Sequence, residues 1–228
     1  MIATVQLADV GPIGAVRAIT RRPKPSTTPG LRSAQVALFA PLALKRPPPV
    51  GRAGLIAFWD DEYAFDTFLD EDPIAQRFAG GFQARLHPLR AFGSWPGLPA
   101  DVPASRTVPH TGPVVVFTLG RLRISQTVRF LRASRPAERA ALANDGMLWG
   151  SAAVRPPFVA TVSLWRDDEA TKAYAYGREQ PAHSDAIRAQ QRKDFHKTSA
   201  FIRFASTHVE GALGGTNPLT PGALGGFG

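Results

Sequence analysis

The sequence predicts an α+β fold made of two ferredoxin-like units fused in tandem, of the dimeric α+β-barrel type. Three observations predict it. The stretch from Gly54 to Gly97 and the stretch from Phe158 to Gly211 follow one plan: an apolar strand, an acidic helix start, a helix, a loop and a closing strand. In both, the strand ends on a tryptophan followed by acids, Trp59-Asp60-Asp61-Glu62 and Trp165-Arg166-Asp167-Asp168-Glu169. Both plans finish in a glycine-rich turn, Gly93 to Gly97 and Gly211 to Gly215. With the elements before them, the halves each read βαββαβ, the split βαβ arrangement. One such unit leaves one face of its sheet bare. Two fused units bury those faces against each other as a barrel, which gives the duplication a physical purpose.

Taken in order, Met1 to Ala8 alternates as a strand, and Pro12 to Ile19 reads as a short helix. After a proline-rich turn, Leu31 to Leu42 is a second strand, and the prolines at 47–49 make a stiff connector. Leu55 to Trp59 is a strand. Asp60 and Asp61 then cap a helix, because carboxylates accept its orphan N–H groups, and Phe65, Phe68 and Leu69 share its buried face. Pro73 opens a further helical turn, and Gln83 to Phe92 closes the half as a strand. The second half restarts with a strand at Val114 to Leu119 and a helix at Ile124 to Arg132. Leu142 to Arg155 reads as a strand or hairpin, and Val159 to Trp165 as a strand with Thr161, Ser163 and Trp165 on one face. Asp167 and Asp168 cap a helix carrying Ala170, Ala173 and Tyr174. His183 to Lys193 is a helix, and Ala200 to Val209 the last strand. The domain plan is therefore a first unit at 1–99, a polar, proline-rich linker at 100–111, a second unit at 112–217 and a flexible glycine-rich tail at 218–228.

Composition narrows the chemistry. There is no cysteine among the 228 residues, so disulfides, thiolate ligands and cysteine nucleophiles are excluded. No run of about 18 apolar residues suggests a transmembrane helix, and the first residues lack the basic-then-apolar order of a signal peptide. A cytoplasmic protein is expected. The formal charge of +9 admits an anionic partner, but the arginines are scattered along the sequence without aromatic interleaving. They read as a basic surface, and nucleic acid is not expected.

No dinucleotide, P-loop, zinc-protease or serine-hydrolase motif occurs. The paired acids at both helix starts read as caps, because both halves carry them in the same place. The second unit is longer than the first, and the added residues fall around the loop before His183 and the helix that follows. His183 stands at that helix start with Ala186, Ile187 and Gln190 along its face. It is either an axial metal or haem ligand or a helix-start histidine open to solvent. His196 reads as a surface histidine, with a second ligand or a distal polar group as alternatives. His87 and His208 fall in strands, and His110 in the linker reads as solvated.

The run PFVATVSLW, an acidic cap, PAHSDAIRAQQRKDF and then AFIRF, with WDDEYAFDTF, DEDPIAQRF and AFGSWPG in the first half, resembles the spheroidene monooxygenase family of carotenoid oxygenases. The resemblance runs from about Leu55 to Pro218. It implies the duplicated barrel fold and a haem-dependent monooxygenase acting on an apolar small molecule, with electrons from an external donor such as ferredoxin. By position it makes His183 the axial ligand and Arg188 the partner of a haem propionate. It makes Phe195 and Phe158 pocket residues. Phe195 stands where the family tends to have Trp, and His196 where it tends to have Phe, a departure that bears on the pocket's shape and polarity. Two alternatives keep other readings open: a haem enzyme of peroxidase or dehydratase type, and a non-catalytic haem or small-ligand binder. Duplication completes the barrel within one chain, while folds of this type also form homodimers.

Overall fold

A computed structural model describes residues 1–42, 51–105, 109–176, 194–213 and 217. Eight antiparallel strands close into one barrel: β1 (Ile2–Asp9), β2 (Leu31–Pro41), β3 (Arg52–Trp59), β4 (Phe82–Gly93), β5 (Val114–Leu122), β6 (Met147–Arg155), β7 (Phe158–Trp165) and β8 (His196–Glu210). Around the barrel they run β1-β3-β2-β6-β7-β5-β8-β4, and β4 pairs back to β1. The first half thus contributes the order β4-β1-β3-β2 and the second β8-β5-β7-β6. Helices α1 (Gly11–Thr20), α2 (Glu62–Glu71), α3 (Thr127–Leu142) and α4 (Asp168–Tyr176) lie outside.

Period-two alternation decides what goes where. On β1, Ala3, Val5 and Leu7 point into the barrel, and Ile2 and Ala8 point outward under the helices. On β7, Phe158, Ala160, Val162 and Leu164 point inward. Phenylalanines from several strands fill the interior beside alanines, with Phe117 and Phe204 in contact at 4.7 Å between ring centres. Side chains from every strand meet there as one packed core.

Two seams join the halves. β4 pairs β8 from Gln83 opposite Glu210 to Gly93 opposite Ala200. β2 meets β6 over a shorter stretch, Leu38 opposite Val154 to Pro41 opposite Ser151. Side chains strengthen the short seam: Ser151 Oγ donates to the Ala40 carbonyl at 2.9 Å, and Arg155 Nε to the Val36 carbonyl at 2.7 Å.

Helix starts follow the acids. Asp61 Oδ1 accepts from the Ala64 N–H at 2.9 Å, and Asp167 Oδ1 from the Ala170 N–H at 2.7 Å. The other two acids do different work. Asp60 pairs with Arg32 on the surface at 2.6 Å. Asp168 is buried and pairs with buried Arg203 of β8 at 2.6 Å, with Lys172 Nζ 2.9 Å from its other oxygen.

Four sequence expectations change. The helix expected to stop at Arg132 runs on to Leu142, through Pro136. Proline removes one intrahelical bond, but Phe130 and Ala133 pack on the sheet before it and buried Ala141 after it, so the helix continues. Leu142 therefore ends a helix, and only Met147–Arg155 is strand, entered by a turn in which Asn144 Oδ1 accepts from the Gly146 N–H at 2.9 Å. The last strand begins at His196 rather than Ala200. His110 is half-buried rather than solvated, its Nε2 lying 3.2 Å from the Pro113 carbonyl oxygen. The expected helix at 183–193 and the expected flexible tail lie outside the described residues.

Removing one partner of a buried ion pair strands the other. Asp168→Ala is expected to lower stability by about 3–5 kcal/mol. Urea denaturation would show this as a lower midpoint at an unchanged slope. A midpoint equal to that of the unmodified protein would contradict the assignment.

Candidate functional site on the outer face of the second half

The two halves cover their outer faces differently. In the first half the outward residues of β1 and β3, Thr4, Gln6, Leu55 and Ala57 among them, are buried. Phe65 and Phe68 of α2 reach down onto Trp59, at 5.5 Å and 4.9 Å between ring centres. Trp59 Nε1 donates to Thr4 Oγ1 at 2.9 Å, which satisfies both groups in an otherwise apolar layer.

Counting from the two tryptophans, Thr171 of α4 stands where α2 has Phe65, and Tyr174 where it has Phe68. Trp165 still meets Tyr174 at 5.1 Å, but a large apolar side chain is gone. Thr118 and Thr161, directly opposite each other on β5 and β7, remain half-buried, as do Val116 and Ala152. Phe201 and Val154 on the flanking strands are each 44% exposed. Among the described residues this face is a shallow floor of small and hydroxyl-bearing residues with apolar flanks.

Phe195 and His196 wall one end of it. Buried Phe195 packs with Leu122, Val159 and Phe130, its ring 5.8 Å from that of Phe130, and the Arg129 guanidinium lies 4.5 Å from its centre. The Arg123 N–H donates to the Phe195 carbonyl at 2.8 Å, tying this corner to the start of α3. The His196 ring lies on Gly120, where a Cβ would come within 2.5 Å of the imidazole. Glycine at 120 is what lets the ring approach the sheet. Phe130 meets the same ring edge-on at 5.2 Å. Burial pushes the His196 pKa below its ordinary value, with Asp194 acting in the opposite sense, so the imidazole is neutral at pH 7. His196 is therefore not the surface histidine that the sequence suggests.

At the other end α4 and α3 are locked together. The Tyr174 hydroxyl donates to the Ala137 carbonyl at 2.8 Å. Burial, and then the charge of Glu138, push its pKa up to about 12, so it remains a donor.

Among the sequence candidates, Phe195 lies at this face. Phe158 does not: it is buried on the inner side of β7, 5.7 Å from Trp95 between ring centres. The alternation of β7 separates the two, and a shared motif does not bring them into one pocket. His183 and Arg188 lie outside the described residues. His87 and His208 are surface residues of the sheet, facing Glu62 and Glu210. Among the described residues no group of three or more His, Asp or Glu gathers as a metal site. A porphyrin iron needs no such group, since one axial side chain can hold it.

A separate cavity of about 390 Å³ opens on the first half, lined by Gln6, Leu69, Phe78, Gln83 and Glu210. Gln83 Nε2 donates to Glu210 Oε2 at 2.7 Å, and Gln6 Nε2 points to Gln83 Oε1 at 3.4 Å. The Glu210 pKa is lowered chiefly by its hydrogen bond with His208. No candidate residue from the sequence lines this cavity. Sequence reasoning missed the half-buried threonines Thr118 and Thr161; a signal was present in the threonine at 171, where the same count from Trp59 gives Phe65.

No family model matches the chain. It is 33% identical over 178 residues to spheroidene monooxygenase of Rubrivivax gelatinosus, a match covering 74% of this chain and 65% of that protein. The chain thus spans somewhat less than two thirds of the relative's length. A crystal structure of aldoxime dehydratase superposes on 90% of this chain and 81% of its own, with a TM-score of 0.54 at 9% identity. A second aldoxime dehydratase structure, in complex with butyraldoxime, covers 90% of this chain and 79% of its own, with a TM-score of 0.50 at 8% identity. The likeness to these structures is one of fold, while in sequence the chain is similar to spheroidene monooxygenase.

Proposed function

We propose that this chain is a haem-dependent monooxygenase that places oxygen on an apolar small molecule. The 33% identity to spheroidene monooxygenase carries the reading. The outer face of the second half supplies a place for the chemistry. We read the common strand order of the halves as a tandem duplication in which the first copy seals its outer face and the second leaves it open.

The described residues of this face suit a flat, apolar group. Val159, Phe130 and Phe195 offer apolar walls, Thr118, Thr161 and Ala152 a low floor, and His196 adds no charge at pH 7. In this reading His183 would hold the iron, and Arg188 would pair with a propionate through charge-assisted hydrogen bonds. Haem, when bound, supplies a redox-active iron able to activate dioxygen. Phe195, held by Phe130 and the Arg129 guanidinium, keeps water from one end of the face. The Thr118 and Thr161 hydroxyls would give this floor a polar component able to donate hydrogen bonds. Phe158 supports β7 from behind. Electrons come from an external donor such as ferredoxin.

The test is haem uptake followed by absorption spectroscopy. The unmodified protein is expected to give a Soret band that shifts or disappears in His183→Ala. No uptake would remove the cofactor from the reading, and uptake unchanged by the substitution would move the ligand, with His196 next to examine. Product formed with dioxygen and a reduced ferredoxin supports the monooxygenase. Product formed only with peroxide, or without oxygen, would instead support the peroxidase or dehydratase alternative.

His196 gives a pH signature. Its folded pKa lies below the ordinary value of 6.5, so the unfolded chain binds the proton more readily. Its contribution to stability is complete above about pH 6.5 and is lost as the pH falls towards the folded pKa. His196→Gln is expected to flatten this part of the stability profile, read from urea midpoints between pH 5 and pH 8, roughly the range in which an imidazole titrates. An identical profile in the variant would contradict the burial argument.

A further inference from the structure

Arginines that look scattered in the sequence gather on one helix. The run from Arg121 to Leu142 holds six arginines and one acid, Glu138. Helix α3 packs on the sheet through Phe130 and Ala133, with Ala141 buried and Ala137 held by Tyr174. Those positions follow a helical spacing of three and four and define its inner side. The opposite side carries exposed Arg132, Arg135 and Arg139, with exposed Arg123 just ahead of the helix. The same side carries large aliphatic residues in open solvent: Val128 is 62%, Leu131 49% and Leu142 50% exposed, with Ile124 82% exposed in the turn before the helix.

A soluble surface rarely groups large aliphatic residues in this way, and such a patch marks a contact. The combination selects the partner. Nucleic acid rewards arginine but offers the aliphatic side chains nothing, and the exposed side of α3 presents no aromatic ring for a base to stack on. A basic amphipathic helix lying in an anionic lipid surface uses both: the aliphatic side chains enter the acyl boundary and the arginines reach the headgroups. No helix among the described residues is long and apolar enough to cross a membrane, so contact through α3 would be peripheral.

We propose that α3, with Ile124, Val128 and Leu131 as its inserting residues and Arg132, Arg135 and Arg139 as its headgroup contacts, docks this protein on an anionic membrane surface. The inference does not depend on haem, and its test uses the chain without cofactor. It adds a role for α3, whose inner side holds Phe195 and His196: an apolar substrate dissolved in lipid would lie beside the open face.

The experiment is co-sedimentation of the full chain with vesicles of phosphatidylcholine alone and of phosphatidylcholine mixed with phosphatidylglycerol. Binding is expected to the mixed vesicles and not to the neutral ones. Two triple variants, Ile124→Ser/Val128→Ser/Leu131→Ser and Arg132→Gln/Arg135→Gln/Arg139→Gln, are each expected to weaken it by about tenfold or more. The substituted side chains are exposed, and unchanged urea midpoints would show that the fold is kept. Failure to bind mixed vesicles overturns the proposal. So does a serine variant that binds as the unmodified protein does, since charge adsorption alone would then suffice. Tighter binding to single-stranded DNA or to an acidic protein at the same salt, weakened by the serine changes when vesicle binding is not, would assign α3 to another partner.

Discussion

Backbone hydrogen bonds between β4 and β8 run from Gln83 opposite Glu210 to Gly93 opposite Ala200, and β2 meets β6 on the far side of the sheet. These two seams turn two four-stranded sheets into one closed surface. Without them each half would expose an inner face of phenylalanine, leucine and valine, together with unpaired strand edges. Closure removes both liabilities at once. It also commits every strand to a strict inward and outward alternation, because a slip of one residue would reverse the faces. The inner positions become core, so whatever binds must bind outside, between sheet and helices or on the helices themselves.

The outside is where the halves diverge. Both place a tryptophan at the end of the third strand of the half and an acid cap on the following helix. In the first half two phenylalanines of α2 complete the layer over Trp59. In the second, a threonine replaces one of them, and the buried pair of Asp168 with Arg203 anchors the helix start. An ion pair fixes position without filling the volume of a second phenylalanine. Gly120 acts in the same direction at the other end, admitting the His196 ring where any larger residue would expel it. Among the described residues, the difference in cover between the two outer faces thus follows from a few side-chain volumes.

The barrel was legible because its signals are repeated and periodic: alternating strands, matched tryptophans and matched acids. Helix boundaries were less legible. The helix expected at Ile124 to Arg132 runs on through Pro136 to Leu142, because Ala141 beyond the proline is buried and packing outweighs one missing hydrogen bond. The site was legible only in part. Phe195 packs at the outer face and Phe158 faces the core, because a linear motif does not reveal which side of a strand a residue takes. His196 was misread because its burial depends on a glycine on another strand. The arginines of α3 show the same limit: residues three and four apart look dispersed in a line and become neighbours only on a helix.

Hydrogen–deuterium exchange, measured by mass spectrometry with and without haem, tests the location of the site most directly. Binding at the outer face of the second half should slow exchange in peptides covering Val159 to Trp165 and His196 to Phe201, and leave those of α1 and α2 unchanged. Protection confined to the first half, around Gln6 and Gln83, would place the ligand in the other cavity and contradict the account.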